Sequence, residues 1–272
     1  MSTEDRLLDE GALRARALGG LWTAVDVVAS TGSTNADLLA RAAAAPDAPE
    51  GQVLVAEEQT AGRGRLGRSW TSVPGASLTF SVLLRPAAVP AGRRGWLPLL
   101  TGVAVASAVR AVAGVDAVLK WPNDVLAGDR KLVGILAEQS PDGSAVVIGT
   151  GMNVATPADA LPVSATGLPA TSLLVEGAAV SREELLLAIL RRLADWYLAF
   201  RADPDPARTG LLDAYRSLSA TIGRQVRVEM PVGRMVTGVA RDIDSDGRLL
   251  IQETGATNIT PVSAGDVIHV RF

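Results

Sequence analysis

Near residue 219 the chain changes its hydrophobic period, and that change limits the folds open to it. Before it, apolar runs of strand length alternate with runs of helical period; after it, only short alternating segments remain. Ala24 to Ala29 reads as a strand, followed by the loop Ser30-Thr31-Gly32-Ser33-Thr34-Asn35 and a helix through Ala36 to Ala45, capped by Ser33 or Thr34. Val53 to Glu57 and Ala76 to Leu84 read as strands, Gly95 to Ala113 as a long apolar helix, and Val118 to Val154 as strand and hairpin. Ser181 opens a helix of about 20 residues, with Glu183 and Glu184 in its first turn where the helix dipole favours negative charge. Ala207 to Ser217 reads as a further helix. Beyond Ser219, the segments 224–230, 235–243, 248–253 and 266–272 alternate in and out between turn residues, as in a small β-barrel of roughly 50 residues. The reading is α+β: a mixed unit over residues 1–219 and a barrel over 220–272.

Composition narrows the chemistry. There is no cysteine, which excludes disulfides, thiolate nucleophiles and sulfur-rich metal sites together. His269 is the one histidine, and Val267, Ile268 and Val270 alternate around it, so it reads as a barrel residue. Net charge is −3, so no bulk positive field points to nucleic acid, and any basic site is local. The N-terminus lacks a hydrophobic signal core, and the apolar run from Leu97 to Val109 is shorter than the roughly 20 residues that span a bilayer. A cytoplasmic protein with no membrane partner is expected. Of 26 basic residues only Lys120 and Lys131 are lysines, and both fall in one short stretch. A genome rich in G and C explains an excess of arginine; the alternative is a site that needs a compact ammonium where a planar guanidinium would not serve.

Three segments carry candidate chemistry. The first is Gly62-Arg63-Gly64-Arg65-Leu66-Gly67-Arg68. Its glycines allow close backbone approach and its arginines suit carboxylate or phosphate. No Gly-Lys-Ser/Thr closes it, so it is not a Walker loop, and by itself it reads equally as a solvated surface loop. The second is Lys120-Trp121-Pro122-Asn123-Asp124, a lysine at a strand end beside a turn fixed by proline, with Asn123 and Asp124 as candidate partners for magnesium or simple capping groups. The third is Ser33-Thr34-Asn35, which suits a helix cap or a small polar head group. A fourth pattern, Asp242, Asp244, Asp246, Gly247 and Glu253, spells an EF-hand loop. Its flanks alternate as strands, whereas an EF-hand needs helices, so Asp246-Gly247 reads as a hairpin turn.

Taken in order, Ser33-Thr34-Asn35, the segment 57–70 with GRGRLGRSW, the segment 119–125 with KWPND, and segments 130–138 and 148–154 resemble the biotin–protein ligase family, from about Val25 to the C-terminus. The resemblance implies a catalytic domain similar to class II aminoacyl-tRNA synthetases, with a mixed β-sheet, and a C-terminal Src-homology-3-like barrel. It implies activation of biotin by ATP to biotinyl-5′-AMP, with Mg2+, and transfer to a lysine of a biotin carboxyl carrier domain of acyl-CoA or pyruvate carboxylases. Ser33, Thr34, Asn35 and Gln59 would hold the ureido head. Arg63, Gly64 and Arg65 would contact the carboxylate end and the phosphate, and Lys120 would sit at the acyl–phosphate junction, making Lys120, Arg63 and Arg65 the catalytic set. Arg65, Arg68, Trp70, Asn123, Lys131, Gly134, Gly151 and Asn153 would bind the nucleotide, with Trp70 covering the adenylate and Asn123 facing magnesium. Leu136 and Gly149 would line the same site, and Asp124 would help deprotonate the carrier lysine. Some members of the family carry an N-terminal DNA-binding module; about 24 residues precede the first strand here, so no DNA binding is expected.

A lipoate–protein ligase shares this chemistry with a different acid, and the two motifs favour biotin. An RNA-binding reading of the Gly/Arg loop is opposed by the negative charge and the scarcity of stacking rings. A catalytically dead binding module is opposed by the presence of every polar motif position.

Overall fold

The computed structural model describes residues 7–162, 168–230, 234–263 and 265–269. Seven strands form one mixed sheet in the spatial order β1 (Ala24–Thr31), β2 (Gln52–Gln59), β3 (Ser77–Leu84), β7 (Val146–Asn153), β6 (Arg130–Gln139), β5 (Asp124–Ala127), β4 (Ala117–Lys120). β1 and β2 run parallel because helix α2 (Thr34–Ala44) crosses over between them; the other neighbours are antiparallel.

Alternation along the strands gives the sheet two unlike faces. Leu78, Phe80, Val82 and Leu84 of β3, with Ile148 and Met152 of β7, enter the main core against α3 (Trp96–Ala113) and α4 (Arg182–Ala202). The other face presents Ser77, Thr79 and Ser81, then Gly149 and Gly151. Helix α2 covers only one end of it, where Leu38 and Ala42 pack on Leu54, Leu83 and Val147. The uncovered remainder is small and polar, and forms a floor.

The helical stretch 91–113, which includes α3, is long and apolar enough by length and composition to cross a membrane, but most of its apolar part is buried inside the protein. Burial in the core against α4, as expected of a buried helix, accounts for its apolar character. Helix α5 (Leu211–Leu218) starts later than expected from Ala207, because Gly210 just before it has φ of 76°, which a helix interior does not adopt. Helix α1 (Glu10–Ala17) is not apparent in the sequence: it is short and buries only Leu13. The Asp9 carboxylate caps it, accepting from the Ala12 N–H at 3.0 Å.

The C-terminal strands form a second, wholly antiparallel sheet in the order β11 (Ile259–Val262), β10 (Leu249–Glu253), β9 (Met235–Ile243), β8 (Gln225–Glu229), β12 (Asp266–His269). β11 escapes the sequence pattern because it holds Pro261, which cannot donate to a ladder and sits here at the end of the strand order. Between β9 and β10, Asp244 Oδ1 accepts from the Asp246 and Arg248 N–H groups, each at 2.9 Å, and Gly247 takes φ of 82°. Asp242 is salt-bridged to Arg216, and Asp246 to Arg93 and Arg248, so these carboxylates are engaged with arginines.

That turn ties the small sheet to the large one. The Trp121 indole donates to Gly247 O at 3.1 Å, and the Trp96 indole to Ser245 O at 3.1 Å. The Trp121 N–H donates to Thr221 Oγ1 at 3.1 Å, and His269 Nε2 lies 3.1 Å from the same oxygen. The single histidine therefore braces the residue that follows Lys120.

At the far end, Arg182 and Glu57 form a buried bidentate pair at 2.7 and 3.1 Å, with side chains 8% and 4% exposed. Glu57 Oε1 also accepts from the Leu8 N–H. Glu57→Ala leaves a buried guanidinium uncompensated and is expected to cost about 3–5 kcal/mol, read as a lower denaturant midpoint with an unchanged slope.

Candidate active site

The small-residue face opens into a cleft of about 1120 Å³. Its floor follows from strand register. Thr79 on β3 pairs with Gly151 on β7, Gly151 with Gly134 on β6, Gly134 with Asp124 on β5, and Asp124 with Lys120 on β4. At about 4.8 Å per strand, this row spans roughly 19 Å. Its second and third positions have no side chain, and the Trp70 indole lies on them. A Cβ on Gly151 would fall 2.2 Å from the ring, and one on Gly134 3.1 Å from it.

One end is a cluster of polar groups. Ser33 caps α2, its hydroxyl accepting from the Ala36 N–H. Gln59 Oε1 accepts from the Thr34 N–H at 2.8 Å and lies 3.0 Å from Thr34 Oγ1. Thr34 Oγ1 is 2.6 Å from Ser81 Oγ, which donates to Asn35 Oδ1 at 2.6 Å. Asn35 Nδ2 donates to Leu136 O and to Glu138 Oε2, at 3.1 and 2.8 Å. A Cβ on Gly149 would meet Asn35 Oδ1 at 2.3 Å, so glycine there makes room for the amide. The cluster contains Ser81 and Glu138, which the sequence reading passed over. The signal for Ser81 was available: Ser77, Thr79 and Ser81 place a hydroxyl at every second position of an otherwise apolar strand.

The other end is cationic. Lys120, with its side chain 13% exposed, has its Nζ 3.9 Å from Asp124 Oδ2, and Lys131 Nζ lies 2.7 Å from Asp124 Oδ1. Burial, then the neighbouring Lys131, Arg65 and Arg68, hold the Lys120 ammonium below its ordinary pKa, against the pull of Asp124. Arg65 is likewise shifted down by burial and by Arg68, opposed by Asp124, and stays charged. Four cations thus share this end with Asp124, an arrangement that favours an incoming anion.

The Gly/Arg loop closes on itself between the two ends. The Gly64 N–H donates to Arg68 O at 2.7 Å, and the Trp70 N–H to Gly62 O at 2.9 Å. Gly62 is needed because a Cβ there would lie 2.3 Å from Trp70 O. Leu66 at the tip takes φ of 57°, unusual for a leucine, and its side chain is exposed. Arg63 donates to Glu138 at 3.2 Å, and Arg65 donates to Asn123 Oδ1 at 2.9 Å and to Gly265 O at 3.4 Å.

Of the residues singled out in the sequence, Ser33, Thr34, Asn35, Gln59, Arg63, Gly64, Arg65, Arg68, Trp70, Lys120, Asn123, Lys131, Gly134, Leu136, Gly149 and Gly151 all line this cleft. One is placed differently from the expectation. Asn153 is buried and donates to Thr171 O at 3.0 Å, pinning the 171–173 segment instead of facing the cleft. Asn123 lines the cleft, its Oδ1 accepting from Arg65 and its Nδ2 donating to Ile135 O, so it also ties the loop to β6. No group of three or more His, Cys, Asp or Glu that could hold a metal ion occurs among the described residues. At this end Asp124 is the carboxylate that could hold a cation.

Comparison with known proteins identifies the family. Residues 27–153 match the Biotin/lipoate A/B protein ligase family, and residues 221–270 the Biotin protein ligase C terminal domain. The chain is 47% identical to the biotin–[acetyl-CoA-carboxylase] ligase of Mycobacterium tuberculosis, covering 100% of both chains. It is 32% identical to the bifunctional ligase/repressor BirA of Escherichia coli over 86% of this chain and 70% of that one. The biotin protein ligase of Aquifex aeolicus, solved in complex with biotin and ATP, superposes with a TM-score of 0.74 at 27% identity, covering 92% of this chain and 100% of that chain.

The depressed Lys120 pKa carries a stability signature. A lysine whose folded pKa lies below its unfolded value of about 10.4 destabilises the fold fully at neutral pH, and the penalty fades as pH rises through the folded pKa toward the unfolded one. Lys120→Met is therefore expected to be at least as stable as the parent chain at pH 7, with its advantage shrinking as pH rises through the folded pKa and gone above the unfolded value of about 10.4. Chemical denaturation across pH reads this; a variant less stable at pH 7 would show that the ammonium is not penalised.

Proposed function

Because the chain belongs to the biotin protein ligase family, we propose that its cleft carries both steps of an ATP-dependent biotin transfer and that the residues above divide the work as follows. The enzyme is a ligase acting on biotin and ATP, with acetyl-CoA carboxylase as acceptor. The finer reading is that biotinyl-5′-AMP forms first, that the accepting group is a lysine of a biotin carboxyl carrier domain, in acyl-CoA or pyruvate carboxylases, and that the reaction proceeds in the cytoplasm. The observation that carries it is the single cleft joining a neutral hydrogen-bonding cluster to a cationic one across a floor of two glycines.

Ser33, Thr34, Asn35 and Gln59 take the ureido head, which offers donors and acceptors but no charge. The valeryl chain runs past the Trp70 indole, which lies on the glycine floor, toward Lys120. In the first step a biotin carboxylate oxygen attacks the α-phosphorus, and pyrophosphate leaves with the electrons of the broken P–O bond. Two anions must meet, and Lys120, Arg63 and Arg65 lower that repulsion most as charge builds on phosphorus. Magnesium supplies further charge neutralisation when bound with ATP. Arg68, Lys131, Gly134 and Gly151 hold the nucleotide, and Trp70 lies over it. In the second step the carrier amine attacks the acyl carbon, AMP leaves, and the amine gives up a proton; Asp124, in contact with both lysines, is placed to take it. No protein nucleophile is required. The segment from 220 onward is a separate C-terminal module whose Gly265 carbonyl holds Arg65.

Mass spectrometry of the chain with ATP, magnesium and biotin is expected to reveal biotinyl-AMP, while the same mixture with lipoate yields no acyl-AMP. Lipoyl-AMP as the main product would reassign the substrate. Arg65→Ala is expected to release adenylate into solution several-fold faster, because the loop loses its tie to Asn123; unchanged release would remove Arg65 from the lid.

A further inference from the structure

Thr79 lines the cleft and is 3% exposed, yet its Oγ1 has no hydrogen-bond partner among the described residues. A buried hydroxyl left unpaired costs free energy, and valine would fill the same space without that cost. The other hydroxyls of the stripe are engaged. Ser77 Oγ accepts from the Val73 N–H at 2.9 Å, and Ser81 Oγ is shared between Asn35 and Thr34. Directly across from Thr79 stands Gly151, so β7 sends no side chain into the gap. The Trp70 indole fills it, and its Nε1 also lacks a partner among the described residues. The Cβ position of Gly151 lies 2.4 Å from that Nε1. Opposed residues on an antiparallel pair have their Cβ positions about 5 Å apart. Two unpartnered polar groups therefore border the same pair of opposed strand positions on the cleft wall, and indole N–H can only donate.

We infer that Thr79 is a ligand-binding residue whose hydroxyl, with the Trp70 indole N–H as second donor, hydrogen-bonds an acceptor oxygen of the bound acyl group. This rests on the ligase reading of the cleft and assigns a contact between its two ends. Thr79 sits two residues along β3 from Ser81 of the head-group cluster and heads the row that ends at Lys120. The unsatisfied hydroxyl of the free protein is satisfied when substrate arrives.

The test measures Kd by calorimetry for biotin and for a non-hydrolysable sulfamoyl analogue of biotinyl-AMP, together with the melting temperature of the ligand-free protein. Thr79→Val is expected to bind one or both probes about tenfold more weakly, in line with one neutral hydrogen bond, while melting at or above the parent temperature. Loss with biotin alone puts the acceptor on biotin; loss only with the analogue puts it at the acyl–phosphate link. Thr79→Ser, which keeps the hydroxyl, is expected to bind within about twofold of the parent. Thr156→Val removes another buried, unpartnered hydroxyl outside the cleft and is expected to leave both affinities unchanged. Parental affinity of Thr79→Val for both probes overturns the inference, as does a loss accompanied by a lowered melting temperature. If the parent chain binds neither probe, the ligase reading fails instead.

Discussion

An ammonium held largely out of water beside three other cations is the interaction around which this structure is arranged. Lys120 loses hydration and gains like-charged neighbours, and Asp124 compensates only in part. Such a group is poised for an anion that comes from outside the protein. The fold meets the cost elsewhere, in a core of sheet against α3 and α4 and in the buried Glu57–Arg182 pair. The C-terminal sheet takes part too. Its turn accepts the Trp121 indole, Thr221 receives the Trp121 N–H, and His269 stands behind Thr221. The strand end that aims Lys120 is thereby fixed from both sides.

Distance is the second constraint. Anion and head group must be held together but apart, and a single row across five strands sets the separation. Glycine at 151 and 134 clears the middle, glycine at 149 clears the place of the Asn35 amide, and glycine at 62 lets the loop turn against Trp70. Each is explained by an atom that a methyl group would strike.

Much of this was legible in the residues. Strand and helix runs were readable because their faces differ in polarity, and the Gly/Arg loop and KWPND stood out because charge interrupts apolar pattern there. What escaped depends on register. Ser77, Thr79 and Ser81 show a polar stripe in the sequence, but nothing local in it or in Glu138 tells which strand lies alongside, and their place in the cleft follows only when β3 pairs with β7 and β7 with β6. Asn123 and Asn153 were legible as polar residues near the motif, but not as groups whose amides are spent on Arg65, Ile135 and Thr171. The EF-hand spelling shows the reverse hazard, since a perfect spacing of acids folds here as a turn whose Asp242 and Asp246 meet arginines. β11 was hidden by the proline that marks it as an edge.

Because the chain has only two lysines, a titration of their ε-carbon signals by NMR reads the central claim without mutation. One of the two resonances is predicted to titrate below the ordinary lysine pKa of about 10.4 in the free protein, and to move upward when the acyl-adenylate analogue places its anion beside the ammonium. Two lysines titrating at the ordinary value, and insensitive to the analogue, would contradict the account.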